Sequence, residues 1–210
     1  MAKKLIILGS FALMKGKMGG FKDILVILGK EKEVKKIDED YQKRKFSGPW
    51  GLEKLAKLYQ GFSENQLKQV ALKYCQKNLI NGVKELIKEY KKKSFLVGSI
   101  SANPQFMMDV LGEILSLDFA EGTKLEFKKG IATDKIPRKV DRYIKAKILK
   151  GKRKQYKLRK ENIIVIGDSV TDFPMAEESK AFIGFDGRKE NVVDVSKMII
   201  SQEKLRDFFK

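Results

Sequence analysis

The residues best placed to do chemistry are two aspartates, Asp168 and Asp172, just downstream of an apolar run. Ile163-Ile164-Val165-Ile166 leads through Gly167 into Asp168, and Asp172 follows four places on. Four consecutive β-branched residues predict a short strand buried on both faces, as in a parallel sheet. An acid at the carboxyl end of such a strand stands where open α/β sheets place their ligands. Asp172 falls in the following turn or first helical turn and can face the same point. Two carboxylates there suit Mg²⁺, a hard cation that takes oxygen ligands. Gly-Asp-Ser after a strand is also ordinary turn chemistry, so this segment alone supports both readings.

A second candidate lies at another strand end. Ser94 to Ile100 is apolar and reads as a buried strand; Ser101-Ala102-Asn103-Pro104 follows, with Asn103 expected as a helix N-cap and Pro104 as the first helical residue. A hydroxyl between strand and helix N-terminus suits an oxyanion or phosphate. A plain capping hydroxyl is the alternative for Ser101.

Composition narrows the chemistry. The 210 residues contain no histidine and one cysteine, Cys75. Ser-His-Asp and Cys-His catalysis and histidine metal sites are therefore excluded, as is an intrachain disulfide. A single cysteine fits a reducing cytoplasm. Carboxylates, lysines, hydroxyls and a hard metal are what remain. Lys3-Lys4 and the apolar run after them mimic a secretory signal, but Lys15 and Lys17 follow with no small-residue cleavage site, so the run reads as the first core strand. No apolar run reaches the roughly 18 residues a membrane span needs. The formal charge is +18, of which residues 135–160 carry +12. That stretch reads as a solvated basic face, or as a contact for nucleic acid or an acidic partner.

The elements that must position these residues alternate. Lys4 to Leu8 reads as a strand, and 15–20 as a glycine-rich loop. Phe21 to Lys93 is helical in pattern, broken at Gly48-Pro49-Trp50-Gly51. Ser63 opens a capping box with Gln66, flanked by Phe62 and Leu67, and Asn81 is expected to cap the next helix. Thr123 to Thr133 reads as a hairpin about Lys128-Lys129-Gly130. A basic helix is expected over 137–150, a helix near Phe173-Pro174, and strands at Ala181–Phe185 and Lys197–Ile200. Strand–helix alternation predicts an α/β fold, a Rossmann-like doubly wound parallel sheet. Residues 1–14 and 92–210 would form the core and 15–91 an inserted small helical cap.

In this order and at these strand ends, the motifs resemble the haloacid-dehalogenase-like superfamily and its phosphoserine-phosphatase-like branch. Gly167-Asp168-Ser169-x-x-Asp172 with Phe173-Pro174-Met175 is similar to the family's acidic metal motif. Ser101-Ala102-Asn103-Pro104 is similar to its phosphate-binding motif, and Leu125-Glu126-Phe127 with Gly130 to its hairpin. The resemblance implies phosphoryl transfer through an aspartyl-phosphate. It casts Ser101 as the hydroxyl that neutralises phosphate, Asp168 as a Mg²⁺ ligand, and Asp172 as a second ligand or water-orienting group. Lys139 is cast as the phosphate-neutralising lysine, with Lys135 and Lys145 as competitors. Such a carboxylate attack on a phosphate dianion needs the metal and the lysine to cancel charge.

The chain departs from the family at its first motif. The family's first strand ends in Asp-x-Asp, nucleophile then acid/base. Here Gly9 and Phe11 stand at those positions, and residues 1–22 contain no Asp or Glu. Glycine has no atom to attack phosphorus, and phenylalanine cannot carry a proton. With a carboxylate missing, Mg²⁺ should bind weakly. The first expectation is a catalytically degenerate phosphatase-like protein that binds a phosphorylated small molecule or a partner protein. An active Mg²⁺-dependent phosphomonoesterase (a hydrolase) and a basic nucleic-acid-binding module are the alternatives.

Overall fold

The computed structural model describes residues 3–44, 50–169, 171–186 and 191–192. The sheet order is β3-β2-β1-β6-β7-β8. Its strands are β1 (Lys4–Leu8), β2 (Phe95–Pro104), β3 (Phe119–Thr123), β6 (Ile163–Gly167), β7 (Ala181–Asp186) and β8 (Asn191–Val192). The first five run parallel, and β8 is antiparallel to β7. β4 (Phe127–Lys128) and β5 (Ile131–Ala132) form the separate hairpin. Lys129 and Gly130 both have positive φ, 51° and 76°, as a two-residue hairpin turn that matches strand twist requires.

Among the described residues, five helices lie between β1 and β2: α1 (Gly20–Ile27), α2 (Glu31–Lys43), α3 (Leu52–Lys57), α4 (Glu64–Asn78) and α5 (Val83–Lys92). α6 (Gln105–Leu115) joins β2 to β3, and α7 (Arg142–Gln155) precedes β6. Short 3₁₀ turns follow β1 (Ser10–Ala12), precede β6 (Lys160–Asn162) and follow β6 (Phe173–Glu178).

Strand periodicity sorts the core. Ile6 and Leu8 join an apolar cluster with Phe21, Leu55, Tyr59, Leu67 and Phe106. Leu5 and Ile7 point the other way and pack with Leu149, Ile163, Val165 and Met175. The first cluster is continuous from the sheet through α6 into the helices before β2, so those helices are anchored by apolar burial that also anchors the strand ends. Cys75 on α4 sits inside it, fully buried, and burial pushes its thiol up to about 12. A raised folded-state value means the neutral thiol stabilises the fold below the ordinary value of about 8.5, and that contribution is lost as pH rises toward 12. Cys75 will therefore react with a thiol reagent at pH 8.5 only as fast as the protein opens, which a denaturant series checks.

Several local expectations shift. Ser63 does cap α4, accepting from Gln66 N at 3.2 Å. Asn81 does not cap α5: Gly82 holds the N-cap position at φ +81°, with no side-chain cap. Asn103 does not cap α6 either, because β2 runs on to Pro104, and Pro104 itself occupies the N-cap position. The basic helix begins at Arg142, capped by Asp141, which accepts from Tyr143 N and Ile144 N at 2.9 Å. Pro137 does not open it, because the adjacent Arg138 is held in a bridge to Lys124. The strand expected at Lys197–Ile200 lies outside the described residues.

Candidate active site

β1, β2 and β3 are laid down in one direction across the sheet, and β6 and β7 in the other. The sheet's connectivity therefore reverses between β1 and β6, and the crevice beyond their carboxyl ends is where open α/β sheets bind ligands. Gly9 and Asp168 follow these two strands directly. Gly9 N–H donates to Ile166 O at 2.8 Å, which locks the two ends together. β2 and β3 change register between Ile100 and Pro104. An irregularity of this kind re-aims side chains next to a site, and here it falls at Ser101 and Asn103.

A cavity of about 710 Å³ opens there. Its polar lining includes Ser10, Ser101, Lys145, Asp168 and Asp172, and Phe11 with residues of α1 and α2 contributes the rest of the wall. Larger space, about 860 Å³, exists among α1, α2 and α4, but it reaches none of the strand-end residues, so the chemistry points to the smaller cavity.

Asp172 is buried and its carboxylate is fully engaged. Oδ1 accepts from Lys145 Nζ at 2.7 Å, and Oδ2 accepts from Asp168 N and Ser169 Oγ, each at 3.3 Å. Gly167 makes this possible: a Cβ there would lie 2.6 Å from that of Asp172, closer than real atoms approach. The side chains of Lys145 and Asp172 are only 8% and 4% exposed. Lys145 also reaches Thr171 Oγ1 at 3.3 Å. Ser101, buried in β2, donates to Ser10 Oγ and accepts from Asn103 N, both at 3.2 Å. Asn103 turns its carbonyl to Phe21 N at 3.2 Å, tying β2 to the start of α1.

The structure brings Ser101, Asp168 and Asp172 to one cavity, with Phe11 on its wall. Gly9 lies beside them: a Cβ on it would stand 3.5 Å from Asp172 Oδ2. It does not bring Lys139 there. Lys139 precedes α7, is half exposed, and pairs with Glu53 of α3; that hydrogen bond and charge hold the Glu53 carboxyl below the usual carboxylate range. Lys145 is the lysine at the acids. It sits one turn inside α7 on the face that also buries Leu149, so the spacing of buried positions is the signal that identifies it.

Three further cations of residues 135–160 are held in ion pairs within the fold. Arg138 and Lys152 both hold Glu121 at 2.8 Å, and Arg153 holds Glu178 at 2.9 Å. Burial opposes ionisation of Glu121, but hydrogen bonds from Lys152 and Arg138 outweigh it and keep the carboxyl below its ordinary range.

The donor set does not fit a firmly held Mg²⁺. Among the described residues, Asp168 and Asp172 are the only carboxylates at the cavity, and both oxygens of Asp172 are already engaged. No group of three or more acidic, cysteine or histidine side chains that could hold a metal occurs among the described residues.

Comparison with known proteins agrees with this geometry. The haloacid dehalogenase-like hydrolase family model matches residues 20–177, downstream of Gly9 and Phe11. The chain belongs to that family. Within it, the similarity runs to the phosphoserine-phosphatase-like branch. It is 30% identical to a phosphoserine phosphatase of Archaeoglobus fulgidus over 174 residues, covering 82% of this chain and 49% of that protein. It is 25% identical to a phosphoserine phosphatase of Methanocaldococcus jannaschii, covering 87% and 85%. The chain thus spans about half the length of the first relative and most of the second. A solved structure of a phospho-aspartyl intermediate analogue of phosphoserine phosphatase superposes with TM-score 0.70 at 24% identity, covering 88% of this chain and 87% of that one. Among the described residues no helix is long and apolar enough to cross a membrane.

Proposed function

We propose that this chain binds a phosphate monoester in the strand-end cavity and has lost the aspartyl-phosphate step of its family. The observation that carries this reading is the end of β1, where Gly9 lies beside Asp172 and Phe11 lines the cavity, with a carboxylate at neither position. Ser10 Oγ is the oxygen nearest to a replacement nucleophile, but its hydrogen-bond partner is Ser101, not a base. A hydroxyl without a general base is a weak nucleophile. Residues 15–91 serve as a cap over the core formed by 1–14 and 92–210.

The phosphate grip rests on the hydroxyl of Ser101 and the ammonium of Lys145. Lys145 cancels the charge of Asp172, which would otherwise repel a phosphate dianion together with Asp168. Phosphatases of this family generally use Mg²⁺, which when bound supplies charge cancellation on phosphoryl oxygens. Asp168, with Asp172, is the side chain able to meet it, and this set is too sparse for tight retention.

Calorimetric titration with inorganic phosphate tests the grip. One site is expected, weakened about tenfold in Ser101→Ala, as losing one hydrogen bond to a charged group implies. No binding, or affinity unmoved by Ser101→Ala, contradicts the reading.

A further inference from the structure

The polar and aromatic linings of the cavity differ in chemistry, and the difference bears on what the phosphate is attached to. This inference rests on the phosphate-binding reading above. Outside its polar groups the cavity is walled by Phe11, whose ring reaches toward Gly19 before α1, and by Phe21, Tyr41, Trp50 and Met18. Phe21 is nearly fully buried. It meets Trp50 edge-on at 6.2 Å between ring centroids and Tyr59 at 5.5 Å. Phe11 lies against the backbone of Gly19, at φ +90°, where a Cβ would come 3.5 Å from its ring. The wall is therefore built by packing, with ring positions fixed by neighbours rather than free in solvent.

Its charge content is equally specific. Lys22 is the one charged side chain that the helices contribute to this wall of the cavity among the described residues. Its ammonium already pairs with Asp38 and stands 5.8 Å over the Trp50 ring. Among the described residues these helices place no carboxylate and no arginine in the lining. An amino-acid phosphate such as phosphoserine would bring its carboxylate to a wall whose one cation, Lys22, is already paired with Asp38, and its ammonium to a wall without a carboxylate, and desolvating ions that are not well paired is unfavourable. A planar ring placed there stacks on aromatic faces instead. At about 710 Å³ the cavity is within the range of small-molecule sites and has room for a phosphate and a ring together.

We infer that the ligand is a phosphate monoester carrying a planar aromatic ring, with the phosphate at Ser101 and Lys145 and the ring against Phe11 and Trp50. Trp50 is the only tryptophan in the chain, so its fluorescence reports on that wall alone. The test titrates the full chain with inorganic phosphate, phosphoserine, phenyl phosphate and adenosine 5′-monophosphate, by calorimetry and tryptophan emission. At least one ring-bearing ester is expected to bind tenfold or more tighter than inorganic phosphate and to change Trp50 emission. Phosphoserine is expected to bind no tighter than inorganic phosphate. Trp50→Ala should remove the advantage of the ring, and Trp50→Phe should restore most of it, a rescue that general damage to the fold would not show. If inorganic phosphate binds but the ring adds nothing, or phosphoserine binds best, the inference fails and the phosphate-binding reading stands. If none of the four binds, both fail.

Discussion

Replacing Lys145 with methionine will destabilise the protein by about 3 kcal/mol or more, the usual cost of breaking a buried ion pair from one side. Lys145 and Asp172 meet at 2.7 Å with side chains almost wholly buried. Methionine keeps much of the lysine's apolar length but leaves the buried Asp172 carboxylate without its cation, with only Oδ2 still hydrogen-bonded. In a protein of this size that loss lowers Tm by about 10 °C. The double variant Lys145→Met/Asp172→Asn removes the stranded charge and should recover a substantial part of the loss. Thermal unfolding of the parent, both single variants and the double variant measures the coupling directly. A Lys145→Met protein as stable as the parent would show that the pair is not buried as described.

The second large effect is a gain. Gly9→Asp/Phe11→Asp returns carboxylates to the end of β1, and Mg²⁺-dependent phosphate release from phenyl phosphate should rise at least about a hundredfold over the parent, the lower end of what general acid–base catalysis alone contributes. The backbone permits the change. A Cβ at Gly9 would meet Gly167 Cα and Ile166 O at 3.4 Å and Asp172 Oδ2 at 3.5 Å, which is ordinary contact, and φ at Gly9 is −63°. The added carboxylate also brings a third acidic oxygen donor to Asp168 and Asp172. A folded double variant with no release would mean that the pocket is no longer arranged for phosphoryl transfer.

Much of this arrangement is legible in the order of residues along the chain. β1, β2, β6 and β7 announce themselves as short apolar runs because a parallel sheet buries both faces. The two aspartates after β6 and the serine in β2 follow from the strand ends. The failures have a common cause, competition between local signals. Pro137 looks like a first helical residue, yet Asp141 caps the helix, and that difference moves the site lysine from Lys139 to Lys145. Asn103 looks like a cap, but its carbonyl is used by Phe21 N, a partner 82 residues away. The aromatic wall is invisible in the sequence for a similar reason. Phe11, Tyr41 and Trp50 belong to no shared periodic pattern, and only the packing of the helices onto the strand ends brings them to one cavity.

Loss of the aspartyl-phosphate step is tested by steady-state phosphate release by the unaltered chain, with Mg²⁺, from phenyl phosphate and phosphoserine. Release no faster than the buffer background is expected, from a protein that still binds inorganic phosphate. Mg²⁺-dependent turnover that disappears in Asp168→Asn would contradict it, and would mean that a group other than Gly9 or Phe11 performs the attack.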